Sequence, residues 1–117
     1  MYALVLALVW LVVLQHVAFM LLEMLWWHKP IGRRVFGTSP QFARESRVLA
    51  ANQGLYNGFL AAGLAWSASQ ADLEYMLFFL LCVLVAGVFG GLTVSGWVFL
   101  IQGVPALLAL VMLFFVG

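Results

Sequence analysis

The segment YALVLALVWLVVLQHVAFMLLEMLWW, residues 2–27, holds one acid, Glu23, one histidine, His16, and no lysine or arginine. A helix that crosses a bilayer needs roughly 20 mainly apolar residues, so this segment predicts a complete membrane span. A cleavable signal peptide differs, because it begins with basic residues and has an apolar core of only about 7–15 residues. We therefore expect the segment to be retained as a transmembrane helix.

The rest of the chain has the same character. Hydrophobic residues make up 67% of the 117 residues and charged residues 8%, whereas a soluble domain uses about a quarter of its residues as charged ones. This composition predicts an all-α integral membrane protein whose length fits about four spans. We expect one transmembrane domain, a four-helix bundle running up-down-up-down, with spans at residues 2–27, 48–66, 75–95 and 97–116.

The five basic residues all lie in one segment, residues 28–47, between the first two spans. Loops on the cytoplasmic side of a membrane carry the excess of lysine and arginine, and the connection at residues 67–74 has two acids but no basic residue. This pattern predicts a multi-pass protein of the bacterial inner membrane, with the basic segment in the cytoplasm and both termini outside. Within that segment, Ser39 followed by Pro40 predicts the N-cap and first residue of the second helix. We expect this helix to begin ahead of the membrane and to continue into the span at residues 48–66.

Charge and cysteine content exclude several classes of site. A formal net charge of +1 gives no support for nucleic acid as a partner. The single cysteine, Cys82, lies in an apolar run, which leaves no intrachain disulfide or thiolate metal cluster. His16 and Glu23 are two helical turns apart, whereas a di-metal site in a bundle needs a Glu-x-x-His spacing. The sequence therefore predicts no metal and no cofactor.

Small residues recur at spacings that allow close packing of membrane helices. The second span contains Gly54 and Gly58, and the third contains Gly87 and Gly91. Backbones approach most closely where small residues face each other, so we expect these two helices to pack together. The alternative is that these residues form the interface of a homodimer. The expected partners are therefore membrane lipid and, in this alternative, a second copy of the chain.

Pro105 interrupts the fourth span. Proline lacks a backbone N–H and clashes with the preceding turn, so we expect a kink or an opened turn near Gln102. Such a break is tolerated inside a membrane only where the freed carbonyls find protein or water partners. It therefore indicates a polar interior.

Polar side chains lie at matched depths in the predicted spans. A carboxyl group inside the hydrocarbon costs at least a few kcal/mol and is normally kept where it pairs or lines a cavity. When the first two spans are aligned at their inner ends, Glu23 is level with Asn52 and Gln53, and His16 is level with Asn57. We expect a ligand-binding pocket, open toward the basic segment, that is lined by His16, Glu23, Asn52, Gln53, Tyr56, Asn57 and Gln102. The alternative is that each amide only bonds one helix to another, for about 0.6–2 kcal/mol.

Several strings in the chain resemble a known family. These are QHVAFMLLEM at 15–24, RVFG at 34–37, ANQGLYNGFLAAGL at 51–64, AGVFGGLTV at 86–94 and IQGVPALLAL at 101–110. Together they closely resemble the bacterial family of small four-helix integral membrane proteins called domain of unknown function 1304. The resemblance covers nearly the whole chain and includes every residue of the expected pocket. Gln15 departs from the pattern, which has an acid there as often as an amide.

The expected function is binding of a small amphipathic or lipophilic ligand in the polar pocket, with Glu23 as the principal charge or proton acceptor. Three alternatives stay open. The chain could act as a proton-coupled transporter in a homo-oligomer. It could be a membrane enzyme that transfers protons on a lipophilic substrate, although the sequence assigns no catalytic residue. It could also be a structural accessory protein of the membrane.

Overall fold

A computed structural model describes residues 1–116 of the chain. Every regular element in this range is a helix, which confirms the all-α prediction. In chain order the elements are α1 (Tyr2–Met24), α2 (Pro30–Phe36), α3 (Pro40–Glu45), α4 (Arg47–Ser69), α5 (Leu73–Thr93), α6 (Gly96–Val98), a π-helical segment (Phe99–Gly103) and α7 (Val104–Val116).

Three helical stretches are long and apolar enough to cross a membrane. They are α1, α5 and the continuous stretch Gly96–Val116. The helix α4 is as long as α1, at 23 residues, but Asn52, Gln53 and Asn57 make it less apolar and it is not among the three. Three apolar helices of this length are compatible with a membrane protein.

The first helix ends at Met24, three residues before the predicted end of the first span. The backbone N–H groups of Leu25 and Trp26 both donate to the carbonyl of Leu21, at 2.9 and 3.3 Å, and close the last turn. Lys29 is extended, with ψ of 162°, because a residue before proline disfavours the helical region. Residues 25–29 therefore form a turn, and Trp27 does not extend α1.

The basic segment, predicted as a loop, contains the two short helices α2 and α3. The predicted N-cap of α3 is confirmed, because the hydroxyl of Ser39 accepts a hydrogen bond of 3.1 Å from the N–H of Phe42, and Pro40 occupies the first turn. The backbone leaves the regular helix at Ser46, and α4 begins at Arg47. The predicted second helix is thus divided in two.

The turn after α1 is in close contact with α2. A Cβ atom built on Gly32 would lie 2.1 Å from the carbonyl oxygen of Trp26, so only glycine fits at this position. The indole N–H of Trp27 donates a hydrogen bond of 3.0 Å to the hydroxyl of Ser46. These contacts fix the turn against the start and the end of the basic segment.

The described chain divides into two compact units. One consists of residues 16–59; the other consists of residues 1–15 together with the chain from residue 60 onward. The second unit has a core of small and medium apolar side chains that recur every three or four residues along α1, α5 and α7, as a buried helix face requires. These are Val5, Val9, Val12, Met76, Leu80, Val83, Ala106, Ala109 and Leu113.

The glycines pair α5 with the segment that follows it, which differs from the predicted pairing. A Cβ on Gly87 would lie 2.8 Å from the backbone nitrogen of Gly103, and a Cβ on Gly91 would lie 2.7 Å from the Cβ of Phe99. Only residues 94 and 95 separate α5 from α6. A connection this short holds the two helices side by side as an antiparallel hairpin, so their glycines meet each other.

The corresponding glycines of α4 face α1. A Cβ on Gly54 or on Gly58 would contact Met20 or its neighbours, at 2.7 to 3.5 Å. Our prediction that these glycines join α4 to α5 is therefore wrong. The helices α4 and α5 do meet, at Gly63, where an added Cβ would lie 2.3 Å from the ring of Phe79.

Candidate functional site

A carboxyl group and an amide form a buried pair in the unit of residues 16–59. The side-chain nitrogen Nδ2 of Asn57 donates a hydrogen bond to Oε1 of Glu23. Only 8% of Glu23 and 6% of Asn57 are exposed. Charged and amide groups are rarely buried unless they are paired, and here each satisfies the other.

The two glycines beside Asn57 bring the pair together. Gly54 and Gly58 lie three residues before and one residue after Asn57, on the side of α4 that faces α1. A Cβ on Gly54 would lie 3.0 Å from the Cβ of Glu23 and 3.1 Å from the carbonyl oxygen of Met20. Because these positions carry no side chain, α4 approaches α1 closely enough for the short side chain of Asn57 to reach Glu23.

The observed register differs from the predicted one by about one helical turn. We expected Glu23 to lie level with Asn52 and Gln53, and Asn57 to lie level with His16, whereas Glu23 pairs with Asn57. The predicted alignment set Trp27, at the end of the first span, level with Val48. In the structure Met24, the last residue of α1, lies beside Gly54, seven residues after α4 begins at Arg47. The helix α4 therefore extends about two turns beyond the end of α1, which the predicted alignment did not allow for.

His16 is buried two turns before Glu23 on the same helix. Its exposed fraction is 1%, and its ring meets that of Phe19 edge-on, with 5.6 Å between centroids. Residues seven apart project from nearly the same side of a helix and are about 10 Å apart along its axis. His16 and Glu23 are therefore two separate polar points on one face of α1, and a molecule reaching both would span that length.

Three residues of the predicted pocket lie on the exposed side of α4. Asn52 and Gln53 are exposed, and Tyr56 is also exposed, with its ring against that of Phe59 at 5.8 Å between centroids. The structure does not bring them into the buried pair. In a helix of 3.6 residues per turn, Gln53 lies about 40° from Asn57 around the helix axis, and Asn52 and Tyr56 lie at larger angles from it.

Gln102 belongs to the other unit, where it is half-buried in the π-helical segment Phe99–Gly103. This segment confirms the predicted opened turn near Gln102. In an α-helix the carbonyl of residue 101 accepts from the N–H of residue 105, which proline lacks. The carbonyl of Ile101 instead accepts a hydrogen bond of 3.1 Å from the side-chain nitrogen of Gln15.

Gln15 is the polar residue that our choice of site residues missed. Its partner is a backbone group, which no pattern of polar side chains reveals. The useful signal is Pro105, because a proline four residues after Ile101 predicts that the carbonyl of Ile101 lacks its helical donor. Any polar side chain able to reach that carbonyl is a candidate partner.

Two open grooves lie in the unit that includes α5, and Glu23 lines neither of them. The larger, of 520 Å³, contains the contact between Trp66 and Tyr75, whose ring centroids are 5.3 Å apart. Its remaining lining residues are Glu74, Phe78 and Phe79. The smaller groove, of 390 Å³, is lined by leucines of α5 and α7 together with Glu74 and Phe114. Within residues 1–116, no three His, Cys, Asp or Glu side chains are grouped so that they could hold a metal ion.

Comparison with known proteins places these features in a family. The family described as protein of unknown function (DUF1304) matches residues 10–114, a range that includes Gln15, Glu23, Asn57 and Gln102. The uncharacterised protein YpaA of Lactococcus lactis subsp. lactis (strain IL1403) is 36% identical over 86 residues, which cover 70% of this chain and 72% of the relative. No solved structure matches the chain. The chain therefore belongs to the DUF1304 family.

Proposed function

We propose that the protein is an integral protein of the bacterial cytoplasmic membrane with four spans. Three helices have the length and composition of spans, and α4 is as long as α1. All five lysines and arginines lie in residues 28–47, and the positive-inside rule assigns such a segment to the cytoplasm. Both termini would then lie outside, in a bundle that runs up-down-up-down.

In that membrane the protein would bind a small amphipathic or lipophilic molecule at Glu23. The observation that supports this proposal is the pairing of the buried carboxyl group of Glu23 in α1 with a neutral amide, Asn57 of α4. An acid kept inside a membrane usually marks a ligand, ion or proton site, because burial is costly. A purely structural contact between helices needs only two amides.

The ligand would enter by replacing Asn57 as the partner of Glu23. The amide of Asn57 can donate and accept hydrogen bonds, so it can hold the free carboxyl group and then the ligand. Met20 and Met24 contact the glycines of α4 beside this pair, and methionine side chains change shape readily. We assign His16 to the far end of a ligand about 10 Å long.

Asn52, Gln53 and Tyr56 lie on the exposed side of α4, and they would contact the part of the ligand that extends beyond the buried pair. The exposure of Asn52 and Gln53 also favours a second candidate, in which a second copy covers these amides and the oligomer exchanges its cargo for a proton at Glu23. In lipid an exposed amide has no hydrogen-bond partner, so a partner chain would lower its free energy. A proton-transferring enzyme and an accessory protein remain as further alternatives.

Native mass spectrometry of the purified protein tests the proposal. The wild type should retain a small molecule that Glu23→Gln loses. The control is Glu74→Gln, which removes an exposed acid that lines both open grooves. If a molecule were lost from Glu74→Gln and kept by Glu23→Gln, the site would be a groove and the proposal would be wrong.

The mass of the complex also separates the candidates. A bound molecule in a monomer supports binding at Glu23, and a dimer that needs Asn52 and Gln53 supports the transporter. If neither variant changed the retained molecules and the protein stayed monomeric, the buried pair would act only in helix packing.

A further inference from the structure

The basic segment contains two buried polar atoms that lack hydrogen-bond partners. They are Nε of Arg33 and Oγ1 of Thr38, and neither bonds to any group in residues 1–116. Buried polar atoms are almost always paired in native proteins, so an unpaired one indicates a missing water, ion or ligand. Here two of them occur within six residues of chain.

Both atoms belong to one closed turn at the end of α2. The backbone N–H of Thr38 donates to the carbonyl of Arg33 at 3.1 Å. Between them Gly37 has a φ of 68°, in the left-handed region that glycine adopts without strain. The turn therefore keeps the backbones of Arg33 and Thr38 in direct contact.

The chemistry of the two atoms selects an acceptor-rich ligand. Nε of Arg33 can only donate a hydrogen bond, and the hydroxyl of Thr38 can also donate. Four more cations lie in the same segment, namely Lys29, Arg34, Arg44 and Arg47. The pKa of His28 is lowered from its ordinary value by desolvation and, to a smaller extent, by the charges of Arg47 and Lys29. A phosphate group meets these demands, because it is anionic and offers several acceptor oxygens.

The surroundings of the turn indicate where that phosphate comes from. Ile31 and Val35, one turn apart on α2, and Phe42 on α3 are each more than half exposed. Apolar side chains among basic ones are typical of helices that lie in the interface of a membrane. A free oxyanion in water would need no such apolar residues beside it.

We propose that the turn formed by Arg33, Gly37 and Thr38 binds the phosphate group of an anionic phospholipid. Arg33 and Thr38 donate to the phosphate oxygens, and Ile31 and Val35 contact the acyl chains. This site lies outside the buried pair at Glu23 and does not depend on it. It would hold α2 and α3 against the cytoplasmic leaflet.

The test measures lipid binding to the full-length protein after delipidation in neutral detergent. Native mass spectrometry follows the titration of phosphatidylglycerol, with phosphatidylcholine as the lipid control. Arg33→Gln and Thr38→Val should each weaken phosphatidylglycerol binding by at least about tenfold, since each removes a donor to the phosphate. Arg34→Gln is the matched control, because it removes the same charge from the neighbouring, exposed position and should change binding less than about threefold.

Thr38→Val keeps the shape and charge of the turn, so it tests the proposal even if Arg33→Gln unfolds the protein. Equal weakening by Arg33→Gln and Arg34→Gln, with no effect of Thr38→Val, would mean diffuse attraction and would overturn the site. A third arm adds inorganic phosphate alone. One outcome of this arm is that inorganic phosphate raises the midpoint of thermal unfolding as much as phosphatidylglycerol does, and only when Thr38 is intact. In that case the ligand would be a free oxyanion, and the proposal of a phospholipid would be wrong.

Discussion

The side-chain nitrogen of Gln15 donates a hydrogen bond of 3.1 Å to the backbone carbonyl of Ile101. This carbonyl loses its α-helical donor because residue 105 is a proline. The π-helical segment Phe99–Gly103 and the Gln15 contact thus have one cause. The contact ties the middle of α1 to the last helical stretch at the point where that stretch is irregular.

We predict that Gln15→Leu lowers stability by about 1 kcal/mol, the usual net contribution of one hydrogen bond. Thermal unfolding in detergent measures the change. The background Pro105→Ala provides the test of cause, because alanine restores an N–H that can bond to the carbonyl of Ile101. Gln15→Leu should then cost less; an equal cost in both backgrounds would contradict the explanation.

Gly87→Ala should destabilise the protein more than Gly58→Ala. The added Cβ at Gly87 would lie 2.8 and 2.9 Å from backbone atoms of Gly103, which cannot move without shifting a helix. Overpacking of this kind costs about 1–3 kcal/mol. At Gly58 the new Cβ would lie 2.8 Å from the sulfur of Met20, a flexible side chain that can turn away. The same unfolding assay compares the two, and equal losses would refute the distinction.

The membrane orientation can be tested by cysteine labelling in spheroplasts, with Cys82→Ala as the background. Gln41 in α3 and Gln70 after α4 are both exposed and can each be replaced by cysteine. A membrane-impermeant maleimide should modify position 70 in intact spheroplasts and reach position 41 only after lysis. The reverse pattern would place the basic segment outside.

The buried pair of Glu23 and Asn57 predicts how single and double replacements change the free energy of unfolding. Asn57→Leu leaves the carboxyl group of Glu23 buried without its amide and should cost about 1–3 kcal/mol. Replacing both residues by leucine should be nearly neutral, because no polar group is then left unpaired. Asn52→Leu is the control, since Asn52 is exposed and should change stability by less than about 0.5 kcal/mol. Equal losses of stability for Asn57→Leu and Asn52→Leu would show that the buried amide contributes no more to stability than the exposed one.

Much of the local structure follows from the sequence. Apolar run lengths predict the long helices, Ser39 with Pro40 predicts the start of α3, and Pro105 predicts the opened turn near Gln102. Each rests on a rule that involves only a few neighbouring residues. Such rules need no knowledge of how helices pack.

The partners across helices were harder to predict. The predicted alignment placed the end of the first span level with the start of the second, and an error of one turn in that alignment displaces every level by the same amount. Gly54 and Gly58 could equally have faced α1 or α5, since small residues only permit close packing and do not choose the neighbour. Asn57 as the partner of Glu23 therefore required the structure.

The central claim, that a molecule binds at Glu23 by replacing Asn57, is tested most directly by infrared difference spectroscopy. The protein is delipidated and then mixed with the lipid extract of the cells that produced it, and the spectrum before addition is subtracted. Glu23→Gln serves as the blank that identifies the bands of this carboxyl group.

The account predicts that the extract shifts a carboxyl band in the wild type and in the control Glu74→Gln, and that this shift is absent from Glu23→Gln. The shift should occur without unfolding, since only the hydrogen-bond partner of Glu23 changes. Identical difference spectra for the wild type and Glu23→Gln would contradict the claim, because the carboxyl group would then take no part in binding.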